Sequence, residues 1–236
     1  MTEKNFLLLI DADDTLWESA LFFQRAEEDF LNLSVSLNLS REKILRTVHR
    51  RDVERLSVTG YGARPYIDTL RLILDEYVPG LPEWAGKAMD SIEKNLLEHP
   101  VILLPEVSET LPKLRELPVV ITVYTMGRRP HQRDKFERSG IAAAVDELKI
   151  VDVKNTEVLR EIIAEKELSP DRCIVIGNSP RSDVNPALSI GAHAVHLIRD
   201  RTWAAEREDF THPGKVITVD SFGETAAVVE SIIGNT

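Results

Sequence analysis

FLLLIDADDTLW, residues 6–17, is the stretch whose reading decides the fold. Phe6 to Ile10 are five apolar residues in succession, the pattern of a short strand buried on both faces. Asp11, Asp13 and Asp14 follow directly. Clustered negative charge at the end of a buried strand needs a reason. Taken alone, DADDT is either a polar turn in which an aspartate or Thr15 caps a helix, or a reactive centre. The rest of the chain has to decide.

Similar runs recur at 118–124 (PVVITVY), 148–153 (LKIVDV), 173–177 (CIVIG) and 192–198 (AHAVHLI), with a weaker one at 215–219 (KVITV). From the second run onward they alternate with helix-like segments such as NTEVLREIIAEKEL and SDVNPALSIGA. Continuous apolar strands alternating with helices predict an α/β fold, a parallel sheet covered on both faces. Ligands of such sheets bind at the carboxyl ends of the strands, where Asp11 stands. Residues 18–100 differ. Phe22, Ala26, Phe30, Leu33 and Leu37 recur at helical spacing, and Ser40 reads as the N-cap of REKILRTVHRRDVERL. Two more helical patterns cover 65–77 and 82–97, separated by VPGLP. The spacing predicts an all-helical insert at 18–100 that divides a core of 1–17 and 101–236.

The chain has 236 residues and is 43% hydrophobic, enough for one large domain or two small ones. A net charge of -10 argues against nucleic acid or an anionic membrane as main partner. Any anionic ligand must then be met by local positive charge or a metal. The lone Cys173, inside CIVIG, reads as a small core hydrophobe in a reducing, cytoplasmic setting. The apolar run near the start is too short for a signal peptide, and none is long enough to span a bilayer. The six histidines have no ligand spacing for zinc.

The other strand ends supply partners for Asp11. The second run ends VYTMGRRP, where Thr125 is a hydroxyl donor and Gly127 permits a turn. The third leads into VDVKNTE, with Lys154 just before a helix. The fourth ends IGNSPRSDV, where Gly177 allows a tight turn and Asn178 and Asp183 offer oxygens. Each has a plain alternative: a cap, a solvated lysine, a loop in which Ser182 or Asp183 caps the next helix. Together, four successive loops present carboxylates, a hydroxyl, an ammonium and an oxygen-donor pair. Converging carboxylates raise one another's pKa unless a cation intervenes, and Mg²⁺ prefers such oxygens.

The order DxDxT, Thr, Lys, then a Gly-Asn loop with a later Asp resembles the haloacid dehalogenase-like hydrolase superfamily. It falls on Asp11, Asp13, Thr15, Thr125, Lys154, Gly177, Asn178 and Asp183. The resemblance implies a three-layer Rossmann-like core with an inserted helical cap, and a phosphatase. Asp11 would attack phosphorus and form an aspartyl-phosphate. Asp13 would protonate the leaving alcohol and then take a proton from water. Mg²⁺ would bind Asp11, the Asp13 backbone carbonyl, Asn178 and Asp183. Thr125 and the N–H groups of Met126 and Gly127 would hold the phosphoryl oxygens, and Lys154 would neutralise their charge. Dehalogenases of the superfamily lack the second aspartate, because a halide needs no proton, so Asp13 favours a phosphate ester. Asp14 stands where the family commonly has Gly. Asn178 stands where an aspartate is usual, which implies weaker Mg²⁺ binding.

Caps in this superfamily choose the substrate, and VTGYGARPY is the most loop-like part of the insert. Tyr61 and Arg64 either close over the leaving group or merely connect two helices. Arg128 and Arg129 either raise the local potential or lie on the surface. Trp17 lines the entrance or packs as core, and Trp84 is expected to pack inside the insert. The implied partner is a small phosphorylated metabolite, with the chain a monomer or homodimer. Competing readings are a receiver-like phospho-acceptor and a mutase, dehalogenase or phosphonatase of the same superfamily. A phosphonatase would need a reactive cap lysine among Lys43, Lys87 and Lys94.

Overall fold

The computed structural model describes residues 4–200, 203 and 206–236. The chain forms two compact units, Met1–Glu18 with Val101–Thr236, and Ser19–Pro100.

In the first unit, six strands make one parallel sheet: β1 (Phe6–Ile10), β2 (Val119–Met126), β3 (Glu147–Val151), β4 (Cys173–Gly177), β5 (His193–Leu197) and β6 (Ile217–Val219). Their spatial order is β3-β2-β1-β4-β5-β6. The chain runs outward from β1 through β2 to β3, then returns to place β4 on the other side of β1. The strand order therefore reverses beside β1, the position at which parallel sheets of this kind take their ligands. Side chains alternate between the two faces. Phe6, Leu8 and Ile10 pack with Val119, Ile121, Val123, Ile174 and Ile176. Leu7 and Leu9 pack with Cys173, Val175 and Ala194.

Helices cover both faces. On the first lie α5 (Val107–Arg115) and α9 (Thr225–Asn235), through Leu111, Leu114, Val229 and Ile232. On the second lie α7 (Thr156–Ala164) and the short α8 (Asn185–Ser189), through Leu159, Ile162, Ile163, Ala187 and Leu188. Each fully buried side chain of this size contributes about 1.5–3 kcal/mol, which makes the continuous apolar strands the dominant local signal. The segment SDVNPALSIGA is not one helix. Pro180–Val184 forms a wide π turn, and α8 follows for only five residues. Pro180 and Pro186 remove two backbone donors here and break the regular ladder.

The second unit is four helices: α1 (Ala20–Ser36), α2 (Arg41–Thr59), α3 (Ala63–Tyr77) and α4 (Glu83–Leu97). Phe22, Ala26, Phe30 and Leu33 of α1 pack against Ile44, Val48, Ile67, Leu70, Met89 and Ile92. Ser40 caps α2, accepting from the Lys43 N–H at 3.4 Å. Two expectations are corrected. The VTGYGARPY loop shrinks to residues 60–62, because α2 continues to Thr59 and Gly60, at φ 74°, closes it in a left-handed conformation. Trp84 is half exposed rather than packed, since α4 buries Ala85, Met89, Ile92 and Leu96 and Trp84 falls off that stripe. Among the described residues, no helix is long and apolar enough to cross a membrane.

Candidate active site

The first loop is tied down before any side chain is considered. The Asp11 N–H donates to Ile176 O on β4 at 2.8 Å. The Ala12 carbonyl accepts from the N–H groups of Leu16 (2.8 Å) and Trp17 (3.2 Å), and Asp14 N–H donates to Trp17 O at 2.7 Å. Closing so tight a loop puts Asp14 at φ 61°, in the left-handed region that glycine adopts without strain. That explains why glycine suits this position and why a short polar residue is the next best choice. Trp17 is fully buried, so it packs as core. Leu104 N–H donates to Leu16 O, and Glu18 N–H to Ile102 O, both at 2.9 Å.

Asp11, Asn178 and Asp183 converge on one side of this loop. The Thr15 hydroxyl donates to Asp11 Oδ2 at 2.9 Å and lies 3.4 Å from Asn178 Oδ1. Lys154, buried, bonds Asp11 Oδ1 and reaches Asp183 Oδ1 at 2.8 Å. Its ammonium also sits 4.8 Å from the centre of the Tyr124 ring. Ser179 N–H donates to Asp183 Oδ2 at 3.0 Å. Gly177 makes this placement possible, for a Cβ there would stand 2.2 Å from Asp183 Oδ2. Burial, and then the like charge of Asp183, outweigh Lys154 and push Asp11 up to about 7. Lys154 itself is raised, because its two carboxylates overcome the effect of burial.

Asp13 faces the other way. Its Oδ1 accepts from Trp17 Nε1 at 2.8 Å and from Lys135, and its Oδ2 accepts from Gln132 Nε2 at 2.8 Å. Lys135 and Gln132 come from α6 (Arg129–Arg138), the helix that follows β2. Burial alone would raise the Asp13 carboxyl. The Lys135 charge and the bonds from Lys135, Gln132 and Trp17 outweigh it and hold Asp13 well below the usual carboxylate range. Neither Gln132 nor Lys135 was flagged in the sequence. The only signal was their i, i+3 spacing in a segment of mixed charge.

Thr125, at the carboxyl end of β2, is buried. The Gly127 N–H, expected to hold a phosphoryl oxygen, instead donates to Val151 O at 3.1 Å and so extends the pairing of β2 with β3. Gly127 has a different task. At φ 132°, and with a would-be Cβ 3.3 Å from Gln132 Nε2, it lets Gln132 lie against the turn. Arg128 and Arg129 are exposed. In the helical unit, Tyr61 lies in the 60–62 connector, and Arg64 pairs with Glu93, which Arg71 also holds at 2.6 Å.

The donor set fits a hard divalent cation. Asp11 Oδ2 and Asn178 Oδ1 both approach the one hydroxyl of Thr15, and the inner residues Asp11, Asp13, Asp183, Lys135 and Lys154 carry three negative and two positive charges. Among the described residues no group of three His, Cys, Asp or Glu side chains is placed to hold a metal.

The haloacid dehalogenase-like hydrolase family matches residues 7–191, and the chain belongs to it. The chain is 24% identical over 220 residues to a glyceraldehyde 3-phosphate phosphatase of Methanothermobacter thermautotrophicus, a match covering 90% of this chain and 93% of that one. A haloacid dehalogenase-like family hydrolase of Xanthomonas campestris superimposes with a TM-score of 0.83 and 26% identity, over 99% of this chain and 94% of that one. A 2-haloacid dehalogenase of Pseudomonas syringae pv. tomato gives 0.59 and 17%, over 98% and 99%. Phosphatases and dehalogenases thus share the fold, and only the site can separate them.

Proposed function

We propose that this hydrolase is a phosphatase of a small phosphorylated metabolite. The observation that carries the reading is Asp13, a carboxylate two residues beyond Asp11 and held by three donors. A halide leaves without a proton, whereas an alcohol does not. Lys154 orients Asp11 Oδ1 and screens the charge of an arriving phosphoryl group. Asp11 attacks phosphorus, the ester oxygen leaves, and an aspartyl-phosphate forms on Asp11. Asp13 supplies the proton to that oxygen, then accepts one from the water that cleaves the intermediate.

The ionised state favoured by Lys135 suits the second half. In the first half, the negative charge of the incoming phosphate raises the proton affinity of Asp13. Asp11, Asn178, Asp183 and the Asp13 carbonyl would hold Mg²⁺. When bound, that ion supplies positive charge against the phosphoryl oxygens. Thr125 and the Met126 N–H contact those oxygens. The acidic surface and the single buried cysteine support a cytoplasmic setting.

The name of the Methanothermobacter relative makes glyceraldehyde 3-phosphate the first compound to try. The test is release of inorganic phosphate from a panel of phosphorylated metabolites with Mg²⁺, with Asp11→Asn beside the wild type. Catalytic release that Asp11→Asn abolishes supports the reading. Labelling without turnover, or release of halide from a haloacid, would overturn it.

A further inference from the structure

Two buried side chains of α6 serve no evident purpose in packing. Lys135 is 2% exposed, and its one ion pair among the described residues is with Asp13. Its ammonium also lies 5.9 Å from the Trp17 ring. Gln132 is 4% exposed, and its Oε1 is buried with no partner among the described residues. Its amide nitrogen donates both to Asp13 Oδ2 and to Met126 O, each at 2.8 Å. Both contacts are to acceptors, so the nitrogen must stand there and the stranded oxygen cannot be removed by a flip.

A buried ammonium and a stranded amide oxygen are poor choices for stability, since apolar residues of the same size would cost less. What the two residues do accomplish is geometric. With Trp17 Nε1 they present three donors, at fixed positions, to the two oxygens of one aspartate. Gln132 also ties the first loop to the turn after β2, where Gly127 leaves it room.

We propose that Lys135 and Gln132, assisted by Trp17, are positioning residues that fix the Asp13 carboxylate for proton transfer to the leaving oxygen. This rests on the phosphatase reading. Misplacing a reacting group by about 1 Å costs on the order of 10²-fold in rate. The loss should fall on the step that needs the proton and not on binding of the phosphoryl group.

The test is single-turnover release of the leaving group, with KM measured alongside, from an alkyl phosphate (glyceraldehyde 3-phosphate first) and from p-nitrophenyl phosphate. The nitrophenolate departs with little need of a proton. Lys135→Met should slow the alkyl ester by about 10²-fold, slow the nitrophenyl ester much less, and leave KM nearly unchanged. Lys135→Arg should restore part of the loss. Should Lys135→Met not fold, Gln132→Leu decides, since it deletes the neutral amide donor to Asp13 at nearly the same side-chain volume; it should slow the alkyl ester more than the nitrophenyl ester. Variants that match the wild type, or slow both esters equally, would overturn the positioning role and leave the phosphatase reading standing. A wild type that releases phosphate from no ester would overturn that reading and the inference with it.

Discussion

Asp11 and Asp13 are two residues apart, and each bonds a buried lysine, yet they are held in opposite electrostatic states. Asp11 shares Lys154 with Asp183 and is pushed up to about 7, chiefly by burial. Asp13 has Lys135 to itself, with two neutral donors added, and is held well below the carboxylate range. The contrast teaches that where burial raises both carboxyls, the balance is tipped by how fully each is compensated: a lysine shared with a second carboxylate at Asp11, an unshared lysine and two further donors at Asp13. A carboxylate that is under-compensated keeps room for a further cation. One that is fully compensated is positioned and ionised.

The largest effect expected from breaking this pair is on turnover. Asp11→Asn should reduce phosphate release to background. Asp13→Asn should lower it by about 10²–10⁴-fold, the usual worth of a positioned acid–base. Both are read from steady-state phosphate release.

On metal-free stability the same two changes should have opposite signs. A carboxyl with a raised pKa contributes stability below its ordinary value of 3.8 and loses it as pH rises through about 7. Asp11→Asn should therefore melt higher than the wild type at pH 8 and not at pH 4. Asp13 is depressed, so its contribution is present above 3.8 and is lost only as pH falls through its lowered pKa. Asp13→Asn should melt lower at pH 8, by the equivalent of about 3–5 kcal/mol at most, because Lys135 is left buried and unpaired. Melting curves at the two pH values check both.

Asp183→Asn sharpens the comparison. It leaves Lys154 to Asp11 alone, so the Asp11 pKa should fall from about 7, though only partly, because burial remains. Carboxyl NMR titration of the metal-free protein reads this directly. A smaller effect is expected from Asn178→Asp, which adds a full charge to the oxygen set and should lower the Mg²⁺ concentration needed for half-maximal activity.

The smallest lies in the helical unit. Asp52 is raised to about 6 by burial, against a lowering from His49 and a further rise from Glu27. Its contribution is present below 3.8 and lost as pH rises through about 6. Asp52→Asn should then gain slightly in melting temperature on the wild type between pH 5 and pH 8.

The sheet was legible because its central strands β1 (FLLLI) and β4 (CIVIG) are unbroken apolar runs and β2 (VVITVYTM) is nearly so, while β3 (ELKIV) and β5 (HAVHL) still carry apolar, β-branched centres. The order of Asp11, Thr125, Lys154, Asn178 and Asp183 was legible because each stands at or just beyond a strand end. Lys135 and Gln132 were not. They face inward from a helix rich in exposed charged residues (Arg129, Arg133, Asp134, Glu137, Arg138), so a single-residue reading treats the whole segment as solvated. Helix α5 was hidden by Pro112 in its middle. The Gly127 amide was misread because pairing of β2 with β3 continues one residue past the turn signal. Sequence shows which groups reach a rim, but not which hydrogen bonds the backbone has already taken.

The most direct test of the central claim is acid quenching of Asp13→Asn during turnover of a phosphate ester with Mg²⁺, followed by peptide mass analysis. The expected result is one phosphoryl group on the peptide that holds Asp11, located at Asp11 itself. Phosphate on any other residue, or steady turnover that persists in Asp11→Asn, would contradict it.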